Sequence, residues 1–405
     1  MLLARRAFLL GAAALSARAA QKKKTQAAPP NILLIVADGI GSWMLGCNGN
    51  TQIQTPNIDL LAKGGTRFAG NFVCAPASSP SRATLFTGRP LASPQSDTML
   101  FDLLAAQGYN CGYAGQWDMG NDAAPQHHCG YWQPSTGLPD PITARAKEFL
   151  DRQTAAKPFF LTIGYATVLE GQAGRYYEMY AKSTFEAMGR DPLSPNANRD
   201  LDKLKDVVGS LRQFAAAVTA VDDQIPALVA NLHDRNLSDN TLILFTSSNG
   251  SLLGRHGLWG DGDASNPVNM YEEVVQAPMI WNWAGRIPVE SVRNELVSFY
   301  DFLPAVCEVA GVAPPANLRG RSYATLALGK RLPKKQPWRN TVYGRYKNVG
   351  MARDSRYKLV VRDQGKGPNE LFDLSLDARE KLNRYDAPAY LSIRDQLTRQ
   401  LAAFS

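Results

Sequence analysis

The stretch Cys74-Ala-Pro-Ala-Ser78-Ser-Pro-Ser-Arg82-Ala-Thr-Leu-Phe-Thr-Gly88 joins a serine-rich turn to a short helical pattern. Proline favours the first turn of a helix, and a glycine after the last apolar residue favours its end. The sequence therefore predicts that Ser78 lies in the turn that begins a helix, near backbone N–H groups that can hold an oxyanion. Arg82 would follow about one turn later. The alternative is a capped surface helix without a special role, because serine-rich caps are common.

The composition is that of a globular protein. The chain has 405 residues, of which 45% are hydrophobic and 20% charged, which is enough for one large domain or for a large and a small one. The net charge of +8 favours solubility more than a specific anionic partner. No internal repeat and no glycine-rich nucleotide fingerprint occurs, and we predict no nucleic-acid partner.

The first 20 residues have the pattern of an export signal. Arg5-Arg6-Ala7-Phe8-Leu9 resembles a twin-arginine motif, an apolar run follows, and Ala17-Arg18-Ala19 fits a cleavage site. The apolar run is too short to span a bilayer. We therefore predict an export signal at 1–20, a linker at 21–30, contact with the twin-arginine export machinery, and a periplasmic or secreted protein without a membrane span.

The cysteines predict no disulfide framework. Their number is odd, and their spacing contains neither a C-x-x-C pair nor a zinc pattern. The five are Cys47, Cys74, Cys111, Cys129 and Cys307.

Three apolar runs predict strands buried on both faces, as in a parallel sheet. They are 31–37, 159–165 and 241–246, and the first and third are followed by Asp38 and by Ser248-Asn249. Ligands of open α/β sheets gather at the carboxyl ends of such strands, so Asp38 and Asn249 are expected at one site. Further strands are predicted at 109–115, 277–283, 295–299, 341–345, 357–362 and 370–374, and helices at 97–107, 141–152, 201–235, 301–311 and 390–404.

Several motifs resemble one known family. Ser78-Ser79-Pro80-Ser81-Arg82, followed by Leu85-Phe86-Thr87-Gly88, is similar to the sulfatase signature C/S-x-P-S-R-x-x-x-L-x-T-G. The resemblance extends through blocks near 38, 115–120, 247–250, 253–260 and 370–374. It implies the alkaline-phosphatase-like α/β fold: a large mixed, mostly parallel sheet flanked by helices at 31–330, and a small C-terminal antiparallel sheet with a terminal helix at 338–405.

The resemblance also implies a chemistry. Ser78 would be the precursor of formylglycine, made by a maturase, and the hydrate of that aldehyde would attack the sulfur of a sulfated glycan or aryl sulfate. Arg82 would orient the hydrate, and Asp38 and Asn249 would bind calcium.

Six positions depart from the family pattern and weaken this implied chemistry. Metal carboxylates are replaced by Gly39 and Ser248, and a lysine and a histidine that contact sulfate are replaced by Gln116 and Asp118. The family's histidine after the strand at 159–165 and its lysine shortly before Tyr271 are also missing. Calcium prefers six to eight oxygen ligands, so these losses predict that no tight calcium site forms. Gln116, Asp118, Arg255 and His256 are candidates to line the substrate cleft.

Three functions remain open at this point. The first is a formylglycine-dependent sulfuric ester hydrolase. The second is a non-catalytic sulfatase-like protein that binds a saccharide or a partner in the old cleft, which the six departures favour. The third is a hydrolase of a different ester, such as a phosphate or phosphonate, with a rearranged metal site to which Asp118, Asp261 or Asp263 contributes. Glu170 is a candidate acid in place of the missing histidine, although a solvated loop residue is the favoured interpretation.

Overall fold

The chain is described here by a computed structural model, which covers residues 28–90, 97–120, 124–125, 128–167, 174–363 and 367–404. The expected export signal, most of the expected linker and Glu170 lie outside these ranges. Within them, no helix has both the length and the apolar character needed to cross a membrane.

The centre of the molecule is an eight-stranded sheet with the strand order β5-β4-β6-β1-β7-β8-β2-β9. Five neighbouring strands, from β5 to β7, run parallel, whereas β8 is antiparallel to both of its neighbours. The bounds of the eight are β1 Asn31–Ala37, β2 Thr66–Phe68, β4 Asn110–Gly115, β5 Tyr131–Pro134, β6 Phe159–Tyr165, β7 Thr241–Ser247, β8 Met279–Asn282 and β9 Ser291–Arg293. Two short strands, β3 Asn71–Phe72 and β10 Val297–Ser298, pair with each other.

The sheet is covered on both faces, which is why its central strands are continuously apolar. Every residue of β1, β6 and β7 is buried, and alternate residues of β1 enter two different hydrophobic clusters. The helices are α1 Pro56–Lys63, α2 Ser78–Thr87, α3 Leu100–Ala106, α4 Pro139–Asp151, α5 Gly174–Met179, α6 Leu201–Lys205, α7 Val207–Asp222, α8 Ile225–Asp234, α9 Glu272–Val275, α10 Phe302–Ala310, α11 Ala324–Ala327 and α12 Leu391–Phe404.

A second, antiparallel sheet contains four strands in chain order. They are β11 Thr341–Tyr346, β12 Val349–Asp354, β13 Tyr357–Arg362 and β14 Glu370–Asp373, and α12 packs against β12 and β13. The predicted fold class is therefore confirmed, with a large mixed and mostly parallel sheet, a small C-terminal antiparallel sheet and a terminal helix.

Some details of the predicted elements differ from the structure. The helical pattern over 201–235, predicted to be interrupted at Pro226, is three helices: one break lies at Asp206, and the break near Pro226 precedes α8, which has Pro226 in its first turn. Strand β12 was missed, because its sequence Val-Gly-Met-Ala-Arg-Asp does not alternate between apolar and polar residues.

The paired carboxylates Asp222 and Asp223 have a structural explanation. The Asp222 carboxylate accepts hydrogen bonds from the backbone N–H groups of Asn57 and Ile58, at 3.1 and 2.7 Å. These N–H groups belong to the first turn of α1, where helical N–H groups lack partners inside the helix. Asp222 therefore fastens the end of α7 to the start of α1.

The parallel strands bring the polar residues of the expected site together. Ala37 is opposite Tyr165 of β6 and Ser247 of β7, so the residues that follow β1, β6 and β7 emerge side by side. The backbone N–H of Ser248 donates to the Ala37 carbonyl at 2.8 Å, and that of Asp38 donates to Tyr165 at 2.9 Å. The carboxyl ends of these strands form the floor of the site described next.

Candidate active site

Helix α2 begins at Ser78, as the sequence predicts. It ends at Thr87, and Gly88 follows with φ 69°, a left-handed conformation that suits glycine at the end of a helix. All residues from Ser81 to Thr87 are buried, and the Ser81 hydroxyl donates to the Ala75 carbonyl at 2.7 Å. The helix is thus packed inside the protein, which excludes the alternative of a capped surface helix.

Arg82 forms a buried ion pair with Asp38. The guanidinium is fully buried and its Nη2 lies 2.8 Å from Asp38 Oδ1, while Nη1 donates to the Tyr113 hydroxyl at 3.3 Å. Burial lowers the pKa of Arg82, but the charge and hydrogen bond of Asp38, together with Tyr113 and Asp118, outweigh this and raise it. Arg82 lies one helical turn after Ser78, so a permanent positive charge is buried close to the start of α2.

Four side chains form a hydrogen-bonded cluster around Ser78. Its hydroxyl donates to Asn249 Oδ1 at 2.8 Å, and Ser248 Oγ lies 3.2 Å from Ser78 Oγ. Ser248 Oγ is also within hydrogen-bonding distance of Asp38 Oδ1 and 2.9 Å from Asn249 Oδ1. Each hydroxyl has one proton to donate, so Ser78 donates to the amide and Ser248 donates to the carboxylate. The proton of Ser78 thus points to a group that is not a base.

Ser248 is the part of this cluster that sequence reasoning missed. The sequence marked it only as the loss of a metal carboxylate, whereas its hydroxyl bridges Asp38, Ser78 and Asn249. Its place beside Asn249, directly after a buried strand, was the available signal. The Ser248 hydroxyl donates to Asp38, which an ionised carboxylate could not do, and it carries no negative charge.

Asp38 has one oxygen that is not used. Its side chain is almost fully buried, and Oδ2 has no hydrogen-bond partner among the residues that the structure describes. Oδ1, by contrast, contacts both Arg82 and Ser248. A buried carboxylate oxygen without a partner is costly, so this position retains unused bonding capacity.

Gly39 does not leave room for the second carboxylate of the family pattern. Its φ of 72° is a left-handed conformation, and a Cβ atom there would lie 3.0 Å from Ser251 Oγ and 3.2 Å from Thr167 Oγ1. A longer side chain would meet both crowding and backbone strain. The local backbone therefore favours glycine over a carboxylate.

Gln116 and Asp118 lie together after β4. The backbone N–H of Gln116 donates to the Gly164 carbonyl at 2.9 Å, which fixes the turn beside β6. Asp118 is exposed at the rim and has a φ of 67°, uncommon for a residue with a side chain. Partial desolvation and then the charge of Asp38 raise the pKa of Asp118, while Arg82 and a hydrogen bond from the Gln116 side chain oppose the shift. The charges of Asp38 and Arg82 thus act on the pKa of Asp118 in opposite directions.

Arg255 and His256 are directed to Glu273. Arg255 Nη1 lies 3.2 Å from Glu273 Oε1, and the guanidinium stacks on the Trp43 ring at 3.7 Å. His256 Nε2 lies 3.4 Å from Glu273 Oε2, and its ring stacks on Tyr271 at 3.6 Å. Burial raises the pKa of Glu273, but the hydrogen bond and charge of His256, a backbone hydrogen bond and the charge of Arg255 together outweigh it and lower the pKa to about 2. Arg255 and His256 are thus both held by the Glu273 carboxylate.

The oxygen donors near Ser78 do not fit calcium. Calcium takes six to eight oxygens, with several carboxylates among them in tight sites. The cluster offers one carboxylate, which Arg82 already neutralises, together with two hydroxyls and one amide oxygen that are bonded to one another. Within the described ranges, no group of three or more His, Cys, Asp and Glu side chains is arranged for a metal ion.

Two other carboxylates considered for a rearranged metal site are occupied elsewhere. Asp261 forms an ion pair with Arg199. Asp263 lies 2.7 Å from Lys347 Nζ and accepts from the Tyr346 hydroxyl at 2.9 Å. Each of the two carboxylates is therefore already bound to a nearby cation, and Asp263 also to a hydroxyl.

The five cysteines are free thiols.

The match to known families agrees with this arrangement of strands and helix. A model of the sulfatase family matches residues 30–312, and a model of the C-terminal region of N-sulphoglucosamine sulphohydrolase matches residues 265–405. The chain belongs to the sulfatase family.

Individual sulfatases are similar over most of the chain. Human arylsulfatase A is 27% identical over 439 residues, covering 89% of this chain and 80% of the relative. An ulvan-active sulfatase of Formosa agariphila is 27% identical over 433 residues, covering 92% of this chain and 79% of the relative.

Solved structures share the fold. A protein solved in complex with its substrate, D-glucosamine-2-N,6-O-disulfate, has a TM-score of 0.77 at 21% identity, covering 93% of this chain and 97% of that one. The phosphonate monoester hydrolase of Agrobacterium radiobacter has a TM-score of 0.73 at 18% identity, covering 93% of this chain and 95% of that one.

Proposed function

We propose that this sulfatase-family protein is exported and binds a saccharide in the cleft around Ser78 without hydrolysing sulfate esters. The twin-arginine-like motif at Arg5-Arg6 supports export to the periplasm or beyond. Relatives named for their action on ulvan and on N-acetylglucosamine-6-O-sulfate support a glycan as the ligand.

One observation carries the non-hydrolytic part of the proposal. The Ser78 hydroxyl donates to the Asn249 amide oxygen, which cannot take up its proton. A serine is a weak nucleophile without a base, a metal or a lowered pKa to activate it. Asp38, the carboxylate of this cluster, is committed through Oδ1 to Arg82 and Ser248.

The lining of the cleft suits hydroxyl groups. Ser78 presents a half-buried hydroxyl and Asp118 an exposed carboxylate, whereas Ser248 and Asn249 are buried and hydrogen-bonded to Ser78. Saccharide hydroxyls both donate and accept, so they match a mixture of such groups. These groups remain useful for binding even where the acid–base groups of the family pattern are missing.

A second candidate is the formylglycine-dependent hydrolase, and one observation favours it. Ser78 is only half-buried at the start of α2, with Arg82 one turn below it, as the intact signature implies. A maturase that oxidised Ser78 in the cytoplasm would replace the weak hydroxyl nucleophile by an aldehyde hydrate. Formylglycine would then supply the nucleophile, and Arg82 and Asn249 would orient it.

One experiment separates the two candidates. The full chain is produced with and without a serine-type maturase, and the peptide containing Ser78 is examined by mass spectrometry. We expect an unmodified serine or, if an aldehyde forms, no turnover of 4-nitrophenyl sulfate with or without added calcium. Turnover that depends on the maturase and disappears in Ser78→Ala would overturn the non-hydrolytic proposal. Screening against a panel of saccharides then tests binding directly, and a protein that binds none of them contradicts the proposed ligand class.

A further inference from the structure

A long segment that leads into the C-terminal sheet contains no acidic residue. From 309 to 353 there is neither aspartate nor glutamate, whereas ten lysines and arginines occur there. At the frequency of acidic residues in the whole chain, 36 in 405, a segment of this length would contain about four. The segment therefore carries positive charge without the negative charges that normally accompany it.

Half of these ten cations have partners in the fold. Arg319 stacks on the Phe404 ring, and four others form ion pairs. The four pairs are Arg339–Asp301, Arg345–Asp363, Lys347–Asp263 and Arg353–Glu272. The remaining five form no ion pair with the residues that the structure describes, and we call them the basic patch. They are Arg321, Lys330, Arg331, Lys334 and Lys335.

Arg321 holds the loop of the basic patch in place. Its Nη1 and Nη2 donate to the carbonyls of Pro337 and Gln336, each at 2.9 Å, and its guanidinium stacks on Trp338 at 5.1 Å from the ring centroid. Trp338 is fixed in turn, because its Nε1 donates to the Leu296 carbonyl at 2.8 Å. The loop is therefore attached to the large domain by both side chains.

The two lysines of this loop are presented to solvent by a turn. The Gln336 N–H donates to the Pro333 carbonyl at 2.9 Å, and Lys334 and Lys335 lie between them with exposed side chains. Lys330 and Arg331, a few residues earlier, are exposed as well. Four charges thus lie within six residues on the surface of the protein.

Carboxylates of the neighbouring elements do not cancel this charge. Asp301 pairs with Arg339, and Glu295 pairs with Arg293 at 3.1 Å. Glu308, directly before the acid-free segment, can offset one charge of the five. The basic patch therefore keeps a net positive charge, which favours an anionic partner.

The basic patch is separate from the cleft around Ser78. Helix α2 has Ser78 at its start, and a Cβ atom on Gly88, just after its end, would lie 3.4 Å from Leu318 of the acid-free segment. A helix of ten residues is about 15 Å long. The segment thus meets α2 at the end away from Ser78, so a ligand that reaches both places must be a polymer.

We propose that the basic patch binds a linear anionic polysaccharide, with sulfate or carboxylate groups along its chain, and holds it outside the cleft. The choice of a polysaccharide among polyanions rests on the proposed saccharide-binding function. Arg321 and Arg331 can each offer paired N–H groups to such anions, and the lysines add flexible point charges.

An anionic membrane is a different partner, and the surface of the segment disfavours it. Proteins that bind a membrane surface combine cations with exposed apolar side chains that enter the bilayer. None of the exposed large hydrophobic residues in the described part of the chain lies within 309–353, and Leu332 and Trp338 of the loop are partly buried. Charge alone is available there, which suits a polymer in water.

Calorimetric titration of the full chain with dextran sulfate, and with unmodified dextran of equal length, tests the proposal. The variant is Lys334→Glu/Lys335→Glu, and the matched control is Lys157→Glu/Lys182→Glu, which makes the same change in net charge at exposed lysines elsewhere. We expect dextran sulfate to bind more tightly than dextran, at least about tenfold more weakly to the patch variant, and within about twofold of the unmodified protein to the control. Added salt should weaken binding, and less steeply in the patch variant.

The outcomes separate this inference from the proposed function. Equal losses in the two variants, or no loss in the patch variant, overturn the basic patch, while the saccharide panel still tests the cleft. If the patch variant loses dextran sulfate but the unmodified protein binds no saccharide of that panel, the proposed function fails and the basic patch stands. Binding to vesicles of anionic phospholipid that the patch variant loses, without binding of dextran sulfate, overturns the choice of a polysaccharide.

Discussion

Two of the regions in which the protein buries charges are the cleft around Ser78 and the junction between the large sheet and the C-terminal sheet. At the junction, Lys358 is fully buried, and its Nζ lies 2.8 Å from Glu380 and 3.3 Å from Glu272. Arg353 approaches Glu272 at 3.1 Å, and the Glu272 N–H donates to Glu380 Oε2 at 2.7 Å. We call Glu272, Arg353, Lys358 and Glu380 the junction cluster.

The difference lies in how completely the charges are compensated. In the junction cluster Arg353 and Lys358 face Glu272 and Glu380, of which Glu380 keeps its proton at neutral pH, whereas in the cleft Arg82 pairs with Asp38 and Asp118 has no ion pair among the described residues. A buried charge is tolerated when it is paired and is costly when it is not. The junction therefore stabilises the fold, while the cleft retains an imbalance that a ligand can relieve.

The largest effect is expected when the junction cluster is broken. Lys358→Met should destabilise the protein by about 3–5 kcal/mol, because it leaves Glu380 and Glu272 buried without their shared cation. Unfolding in urea measures the change. Lys205→Met is the matched control, since Lys205 forms a fully exposed pair with Asp202 at 2.6 Å, and its unfolding midpoint should not change. Equal midpoints for the two variants would show that the junction cluster does not stabilise the fold.

The junction should also make stability depend on pH. Burial raises the pKa of Glu380 to about 8, opposed by Lys358 and supported by the charges of Glu272 and Glu273. The folded state therefore holds a proton that the unfolded state releases near its ordinary pKa of about 4.3. Stability should fall as the pH rises from this value to about 8 and should level off above it.

Melting temperatures measured across this range test the pH effect, with Glu380→Gln as the comparison. Glutamine keeps an acceptor for the Glu272 N–H but does not titrate, so its curve should be flatter than that of the unmodified protein. Parallel curves would assign the pH dependence to other groups.

A smaller loss is expected when the charge pair of the cleft is broken. Arg82→Met should cost about 2 kcal/mol, because it leaves Asp38 without its cation but next to a cleft that water can enter. Urea unfolding again provides the measurement. If Arg82→Met lowers the free energy of unfolding as much as Lys358→Met does, the Asp38–Arg82 pair stabilises the fold as strongly as the junction cluster.

The sequence predicted the scaffold of the cleft well because its signals are local. The apolar run 31–37, the proline and glycine around α2, and Asp38 and Asn249 after their strands each depend on neighbouring residues. The resemblance to sulfatases then gave the fold of the whole chain.

The chemistry of the cleft was less predictable because it depends on contacts between distant residues. Ser248 bridges side chains 170 and 210 positions away, and the Glu272 N–H bonds to Glu380 108 positions later. The direction of Arg255 towards Trp43 and Glu273 also has no local signal. A substitution pattern shows which groups are lost, whereas only the folded chain shows what the replacements bond to.

The smallest effect should come from removing the excess charge of the cleft. Asp118→Asn relieves repulsion from Asp38 and suits the left-handed backbone, so we expect the protein to become more stable by about 0.5 kcal/mol. The gain is small because Asp118 is exposed and its charge is screened by water. Thermal unfolding at low ionic strength measures it, and added salt should reduce the difference. If Asp118→Asn stabilises the fold and also abolishes ligand binding, the carboxylate serves binding. If the variant is less stable, Asp118 supports the fold, like the charges of the junction cluster.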